Sequence, residues 1–336
     1  MAELSWGAGP TRYFFDLTPD RVMDALEKNP VLGQRERCTG YCQPLASFEN
    51  RVYEVEFEER TRKVVKFYRP GRWTEQQIRE EHEFMLEIQA AEIPVVVPDF
   101  FEIPGDTLRK TDSGLFYCVY PKVGGRQPED LPSEKLEQLG RLIARMHAVG
   151  ARRAAPSRVR LTPEVYGKAS LEFLIEGHFI NPSVEKRFES VVEQILSRAL
   201  ALFQNHPLQR IHGDCHAGNI LWNEKTGPFF IDFDDMVTGP PIQDLWLLAP
   251  EPEALIHLIE GYQQMKDLPR GSLRLVEVLR ALRMVHYATW IAKRYEDPAF
   301  QRAFPHFESP RYWDELTTDL ERQWERIEKH AYDQGV

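Results

Sequence analysis

Two short apolar runs, each carrying a carboxylate at its end, constrain this chain more than any other feature. Ile211-His212-Gly213-Asp214-Cys215-His216-Ala217-Gly218-Asn219-Ile220-Leu221-Trp222 comes first, and Phe229-Phe230-Ile231-Asp232-Phe233-Asp234-Asp235 follows it. Apolar residues flank each polar group, so Asp214, Asn219 and Asp232 would stand at the ends of buried strands. A carboxylate, then an amide, then a second carboxylate is the set that phosphoryl transfer needs. Asp214 would accept or orient the proton of an attacking hydroxyl. Asn219 and Asp232 would hold Mg²⁺ on nucleotide phosphates, through the oxygen ligands this hard ion prefers. His212-Gly213-Asp214 alone would read as a turn, with Asn219 as a cap. The joint pattern, with its order, gaps and apolar context, favours catalysis.

Such a site also needs a lysine on a strand and a helix glutamate to hold it. Arg62-Lys63-Val64-Val65-Lys66-Phe67-Tyr68 reads as a strand. Val64, Lys66 and Tyr68 share one face, and Val65 and Phe67 share the other. A lysine in so apolar a strand must be paired, because burying a lone ammonium is costly. The helix that follows is N-capped by Thr74. Glu81, Phe84, Met85 and Ile88 recur at helical spacing, which puts Glu81 on the inward stripe beside Lys66. Glu80 is the rival if the helix phase is off by one residue. The plain structural reading of Lys66 is a surface lysine at a strand edge.

At this point the chain resembles the protein-kinase-like superfamily, in the branch of aminoglycoside phosphotransferases and choline kinases. Within that branch it is similar to the bacterial stress response kinase A group of serine/threonine protein kinases. The resemblance is carried by Ser47-Phe48-Glu49-Asn50-Arg51-Val52-Tyr53, Val65 to Pro70, Val123-Gly124-Gly125-Arg126-Gln127, His212 to Trp222, Gly239 to Trp246 and Asp297-Pro298-Ala299-Phe300. It runs over nearly the whole chain beyond the first dozen residues. It implies an α+β, two-lobed protein-kinase-like fold. The small β-rich N-lobe would span 1–120 and bind ATP, and the larger, mainly helical C-lobe would span 121–336. It implies Mg²⁺-ATP as phosphoryl donor and a protein with a Ser/Thr hydroxyl as acceptor, in a bacterial stress response. Backbone groups near Tyr120 and Val123, at the Gly/Pro break between the lobes, would meet the adenine ring. In the family the residue matching Asp244 braces the catalytic loop.

One departure from ordinary protein kinases is visible. No G-x-G-x-x-G loop precedes the Lys66 strand, and Pro44 to Tyr53 stands there instead. Ser47 would supply a hydroxyl and an N–H to the β- or γ-phosphate, though it also suits a turn. Two other functions stay open. One is a small-molecule kinase acting on an aminoglycoside, a choline-like alcohol or a sugar. The other is a non-catalytic pseudokinase scaffold, against which the intact Lys66, Asp214, Asn219 and Asp232 argue.

The remaining polar positions have plainer readings. His212 is expected to be a packed loop histidine. Asp244 would open an apolar helix, where the macrodipole favours a carboxylate. Asp234 is either a turn residue, like Asp235, or a group that supports the metal from behind its ligands. His212, Cys215 and His216 are zinc-ligand types, but the other cysteines are distant and no C-x-x-C pair exists, so zinc is not expected. Cys215 would be a small buried hydrophobe, or a thiol that makes activity oxidant-sensitive. Ala148 to Arg160 is a basic loop, read as a solvated linker or a dock for an acidic segment.

Composition fits this picture. A net charge of −10 lacks the basic footprint of a nucleic-acid binder. No apolar run is long enough for a membrane span, and the first six residues do not resemble a signal peptide. Four cysteines without a framework pattern suggest a reducing compartment. A cytoplasmic monomer is expected. The periodicity predicts a helix from Thr18-Pro19 and strands from about Thr39 to Phe67. It predicts further strands at Pro94 to Phe101 and Gly114 to Tyr120, and a long helix from Ser133.

Overall fold

The computed structural model describes residues 14, 17–34 and 37–329. The first six residues, read above as no signal peptide, lie outside them. The chain forms two compact units. One contains the chain up to Pro128 together with Gly218–Asp234, and the other contains Glu129–Ala217 and the chain from Asp235 on.

In the first unit, helix α1 (Pro19–Lys28) starts at Thr18, whose hydroxyl accepts from the Arg21 amide. Pro19 follows where its missing N–H costs nothing. Strands β1 (Cys38–Leu45), β2 (Arg51–Phe57) and β3 (Arg62–Phe67) then form a meander. Helix α2 (Glu75–Ala90), β4 (Arg109–Lys110) and β5 (Phe116–Pro121) complete the unit's main elements, and the antiparallel sheet runs β1-β2-β3-β5-β4. Strand β3 is central, paired to β2 and β5. Its alternation sorts the faces. Val65 and Phe67 pack with Tyr53, Val55, Tyr117 and Val119 and with Val22, Ala25 and Leu26 of α1, while Lys66 lies on the opposite face. Thr74 and Gln77 form a reciprocal capping box that fixes where α2 begins. That start places Ile78, Glu81, Phe84, Met85 and Ile88 on the buried stripe.

Pro94 to Phe101 is not the strand its apolar run suggests. Only Val95 makes a bridge there, to Phe230. Pro94 and Pro98 lack the N–H groups a ladder requires. The unit is completed by a hairpin of Ile220–Asn223 and Gly227–Phe230, with Ile220 opposite Phe230.

The second unit is mainly helical: α3 (Ser133–Gly150), α4 (Ala169–Glu176), α5 (Glu185–Phe203), α6 (Ile242–Leu248), α7 (Pro252–Gln263), α8 (Val276–Ala292), α9 (Pro298–Ala303) and α10 (Pro310–Glu328). Leu174, Phe188, Ile195, Leu282, Val285 and Trp313 centre its core. Helices α3 and α7 cross at two glycines. A Cβ on Gly140 would lie 2.1 Å from the Leu258 carbonyl oxygen, and one on Gly261 would lie 2.1 Å from that of Glu137. No larger residue permits so close a crossing. A short ribbon pairs Gln209–Ile211 with Val237–Gly239. The basic stretch 148–160 is not a wholly solvated linker. Its first residues belong to α3, and Arg158 is buried, donating to the Met236 carbonyl at 2.8 Å. Among the described residues, no helix is long and apolar enough to cross a membrane.

Candidate active site

In the first unit Lys66 organises the polar face of the sheet. Its ammonium is buried, 3.1 Å from Asp232, 3.1 Å from Asp234 and 3.6 Å from Glu81, and lies over the Tyr68 ring. Burial opposes the charged form, but Asp232, Asp234 and Glu81 outweigh it, so the Lys66 pKa stands well above the ordinary lysine value. Glu81, not Glu80, is the helix carboxylate at Lys66. Glu81 is fully buried and accepts from the Tyr68 hydroxyl at 3.3 Å. The chain of polar contacts continues from Tyr68 to His82 at 2.9 Å and from His82 to Thr107 at 2.7 Å. This network fixes the carboxylate from behind.

Asp232 stands two residues past the hairpin strand, with its backbone left-handed at φ +58. That region is sparsely populated by residues other than glycine, although aspartate is among the more tolerant. The turn leaves the Asp232 side chain 52% exposed while Asp234 is buried. Asp234 is therefore more than a turn residue. It accepts from Arg72, and from the Asn50 amide at 3.2 Å. Asn50 also accepts from the Arg69 amide, which ties the β1–β2 loop to this cluster. Glu49, Glu81, Asp232 and Asp234 face Lys66, Arg69 and Arg72 in this network.

Asn219 is nearly buried, and its carbonyl accepts from the Ile231 amide at 3.0 Å. Asn219 and Asp232 thus rise from adjoining backbones. Their oxygens are donors of the kind that hard divalent cations take. Ser47 lies exposed in the β1–β2 loop, where its hydroxyl accepts from the Asn50 amide at 3.3 Å. Tyr120, opposite Val64 in β5, is close enough to act on the Lys66 charge. Val123 lies just beyond β5. Neither Ser47 nor Val123 hydrogen-bonds Lys66.

In the second unit Asp214 projects from a loop that only one backbone path satisfies. Gly213 has φ +86, and a Cβ there would fall 2.1 Å from the Asp235 carbonyl oxygen. Asp244, fully buried in the first turn of α6, accepts from the His212 amide at 2.9 Å and the Gly213 amide at 2.8 Å. It also pairs with His147 Nε2 at 3.0 Å, and His147 Nδ1 meets the Tyr262 hydroxyl at 3.1 Å. The Gly140–Gly261 crossing brings α3 and α7 close enough for that last contact.

The Asp214 carboxylate has a guanidinium and an imidazole beside it. Arg283 donates to Oδ1 at 2.9 Å, and His216 Nε2 stands 3.4 Å from Oδ2. Burial would raise its pKa, but the His216 hydrogen bond and the Arg283 charge overcome this and bring it to about 2. His212 is buried, its Nδ1 accepting from the Asp214 amide, as befits a packed loop histidine. Cys215 is also fully buried, and burial lifts its thiol well above the ordinary range. That counters the oxidant-sensitive reading, since the thiolate is the reactive form.

Several residues here escaped the sequence reading: Asn50, Arg72, His147, Tyr262 and Arg283. His147 had a usable signal, because it continues the apolar stripe of Leu136, Leu139 and Ile143, where a polar group must be satisfied. Arg283 and Arg72 had none, since an arginine near a helix or turn is usually solvated.

A buried strand lysine held by a helix glutamate, with a carboxylate after a hairpin and a braced loop carboxylate, defines a kinase-type phosphotransferase. Residues 42–273 match the model of the phosphotransferase enzyme family. Over 306 residues the chain is 38% identical to the stress response kinase A of Shigella flexneri, covering 89% of this chain and 90% of that protein. Over 321 residues it is 39% identical to the serine/threonine protein kinase RdoA of Salmonella typhimurium (strain LT2), covering 92% and 93%. Among solved structures, amicoumacin kinase hAmiN in complex with AMP-PNP, Ca²⁺ and Ami shares the fold at TM-score 0.71 and 18% identity, over 95% of this chain and 96% of that one. The microcompartment-associated aminopropanol kinase does so at TM-score 0.67 and 18% identity, over 92% and 98%. The chain belongs to the phosphotransferase enzyme family and, within it, to the stress response kinase A group.

Proposed function

We propose that this kinase transfers the γ-phosphoryl group of ATP to serine or threonine hydroxyls of a protein, with Mg²⁺ as the divalent ion, in a bacterial stress response. The single observation that carries the reading is the Lys66 cluster: a buried ammonium within 3.6 Å of three carboxylates. An ammonium shared in this way can turn to nucleotide phosphates without leaving its carboxylate partners bare. The serine/threonine acceptor is supported by the two relatives, which align over about nine-tenths of this chain. The four free cysteines fit a cytoplasmic protein.

The roles follow from the chemistry of each group. Lys66 holds the α- and β-phosphates, and Glu81 keeps Lys66 in place. Ser47 offers its hydroxyl and N–H to the β- or γ-phosphate, and backbone groups from Tyr120 to Val123 meet the adenine. Asn219 and Asp232 hold the divalent ion, which supplies charge neutralisation at the phosphate oxygens. Asp214 accepts a hydrogen bond from the acceptor hydroxyl and aims its oxygen at phosphorus. With a pKa of about 2 it is a weak base. That suffices for a loose transition state in which positioning does most of the catalysis.

Incubation with γ-labelled ATP and Mg²⁺, against a panel of proteins and small hydroxyl compounds, tests the reading. Label on serine or threonine of a protein is the expected result. Label only on small alcohols overturns it.

A further inference from the structure

Arg283 is not needed to place the Asp214 loop. Asp244 does that from a fully buried position, through two backbone amides, and Gln243 adds a hydrogen bond to the Gly213 carbonyl. Arg283 instead approaches from α8 with its side chain 39% exposed, and His216 comes from the loop at 41%. The Arg283 contact also occupies Asp214 Oδ1, an oxygen that the acceptor hydroxyl could use. The Arg283 end of this ion pair is open to water, so the guanidinium can turn to another anion that enters beside it. One turn further along α8, Tyr287 is 45% exposed and stacks on Trp290 with centroids 5.4 Å apart. A cationic fork beside a flat aromatic surface thus borders the orienting carboxylate.

We propose that Arg283 is an acceptor-recognition residue that reads an anionic group, carboxylate or phosphate, carried next to the acceptor hydroxyl. This rests on Asp214 being the group that faces that hydroxyl. A guanidinium meets a carboxylate or phosphate through two parallel N–H donors. An acceptor bearing such a group draws Arg283 onto itself and frees Asp214 Oδ1 for its own hydroxyl. A neutral acceptor must compete with Arg283 for that oxygen. A cationic neighbour meets like charge from Arg283. Tyr287 covers the apolar part of the flanking residue.

The test is kcat/KM for serine peptides that differ only in the flanking residue: Glu, phosphoserine, Gln or Lys. Wild type is compared with Arg283→Lys, Arg283→Gln and Arg283→Glu, and circular dichroism checks that each is folded. The wild type should favour Glu and phosphoserine over Gln by about tenfold, the worth of one charge-assisted hydrogen bond, with Lys last. Preference for phosphoserine over Glu would identify phosphate as the better ligand, and the reverse would identify carboxylate; either supports the proposal. Arg283→Lys should keep part of the preference, Arg283→Gln should lose it, and Arg283→Glu should invert it. An equal rate loss on all peptides in Arg283→Gln would mean that Arg283 only positions Asp214, which overturns the proposal. So would a wild type that is indifferent to the flank. If no peptide is labelled, the protein-kinase reading fails on its own, and small hydroxyl acceptors with and without a carboxylate take the place of the series. The same preference, and its loss in Arg283→Gln, then decide the matter.

Discussion

Replacing Asp244 is the sharpest probe of how the Asp214 loop is built. Its carboxylate receives the amides of His212 and Gly213 and pairs with His147, all at 2.8–3.0 Å and with no exposure to water. Asp244→Ala leaves three buried groups without their acceptor. Each unsatisfied buried group costs about 1–3 kcal/mol. We therefore expect a loss of roughly 3–5 kcal/mol, which is a large part of a typical folding free energy of about 5–15 kcal/mol. Asp244→Asn is milder but not neutral. Its oxygen can satisfy only one side of the carboxylate, and its NH₂ then faces a backbone N–H. His147 can relieve part of this by presenting Nε2 as an acceptor. The Asn variant should lose about 1–3 kcal/mol. In the folded Asn variant the loop shifts, so kcat should fall by about 10- to 100-fold. The KM for ATP should barely change, because the residues assigned to the nucleotide belong to the other unit. Guanidinium unfolding and steady-state kinetics give both numbers. An Asp244→Ala protein as stable as wild type would refute the bracing argument.

Three further outcomes are expected. Lys66→Ala and Glu81→Ala should be strongly non-additive in kcat/KM, because both remove one function, with Glu81→Ala the milder; Glu80→Ala should stay uncoupled from Lys66 in the same double-mutant cycle. Asp232→Ala should weaken divalent-dependent ATP binding more than Asn219→Ala, because it removes a charge as well as an oxygen; calorimetry with and without Mg²⁺ measures this, and an unchanged metal requirement in Asp232→Ala would place the ion elsewhere. Asp214 titrates at about 2, below its ordinary 3.8, so its ionised form contributes stability that is complete above about pH 4 and lost as pH falls through about 2. The pH profile of kcat/KM should then show no acid limb from Asp214 between about pH 5 and 8, and Arg283→Gln should move its titration upward, which carboxyl NMR would detect.

Much of this was legible in the sequence because local rules and global packing agree there. The alternation in β3 separates Lys66 from Val65 and Phe67, and the helical stripe of α2 favours Glu81, with Glu80 left open until the capping box fixes the start of the helix. The glycine in His212-Gly213-Asp214 marks a backbone that no other residue can follow. What stayed hidden depends on contacts distant in sequence. Asp234 looks like a turn residue until Arg72 and Asn50 are seen to reach it. His147 needs the α3–α7 crossing before Tyr262 and Asp244 can flank it. The misread strand at Pro94 to Phe101 has a local cause, two prolines in an apolar run, and hydrophobicity outweighed them in the reading.

The most direct measurement compares Asp214→Asn with wild type for γ-phosphoryl transfer, with ATP affinity measured on the same preparations. Asp214→Asn keeps the side chain's shape and removes the charge proposed to orient the acceptor hydroxyl. Transfer to a serine or threonine acceptor should fall by roughly 10²- to 10⁴-fold, while Mg²⁺-ATP binds nearly as in wild type. Wild-type turnover in the variant would contradict the assignment of Asp214 as the residue that faces the acceptor.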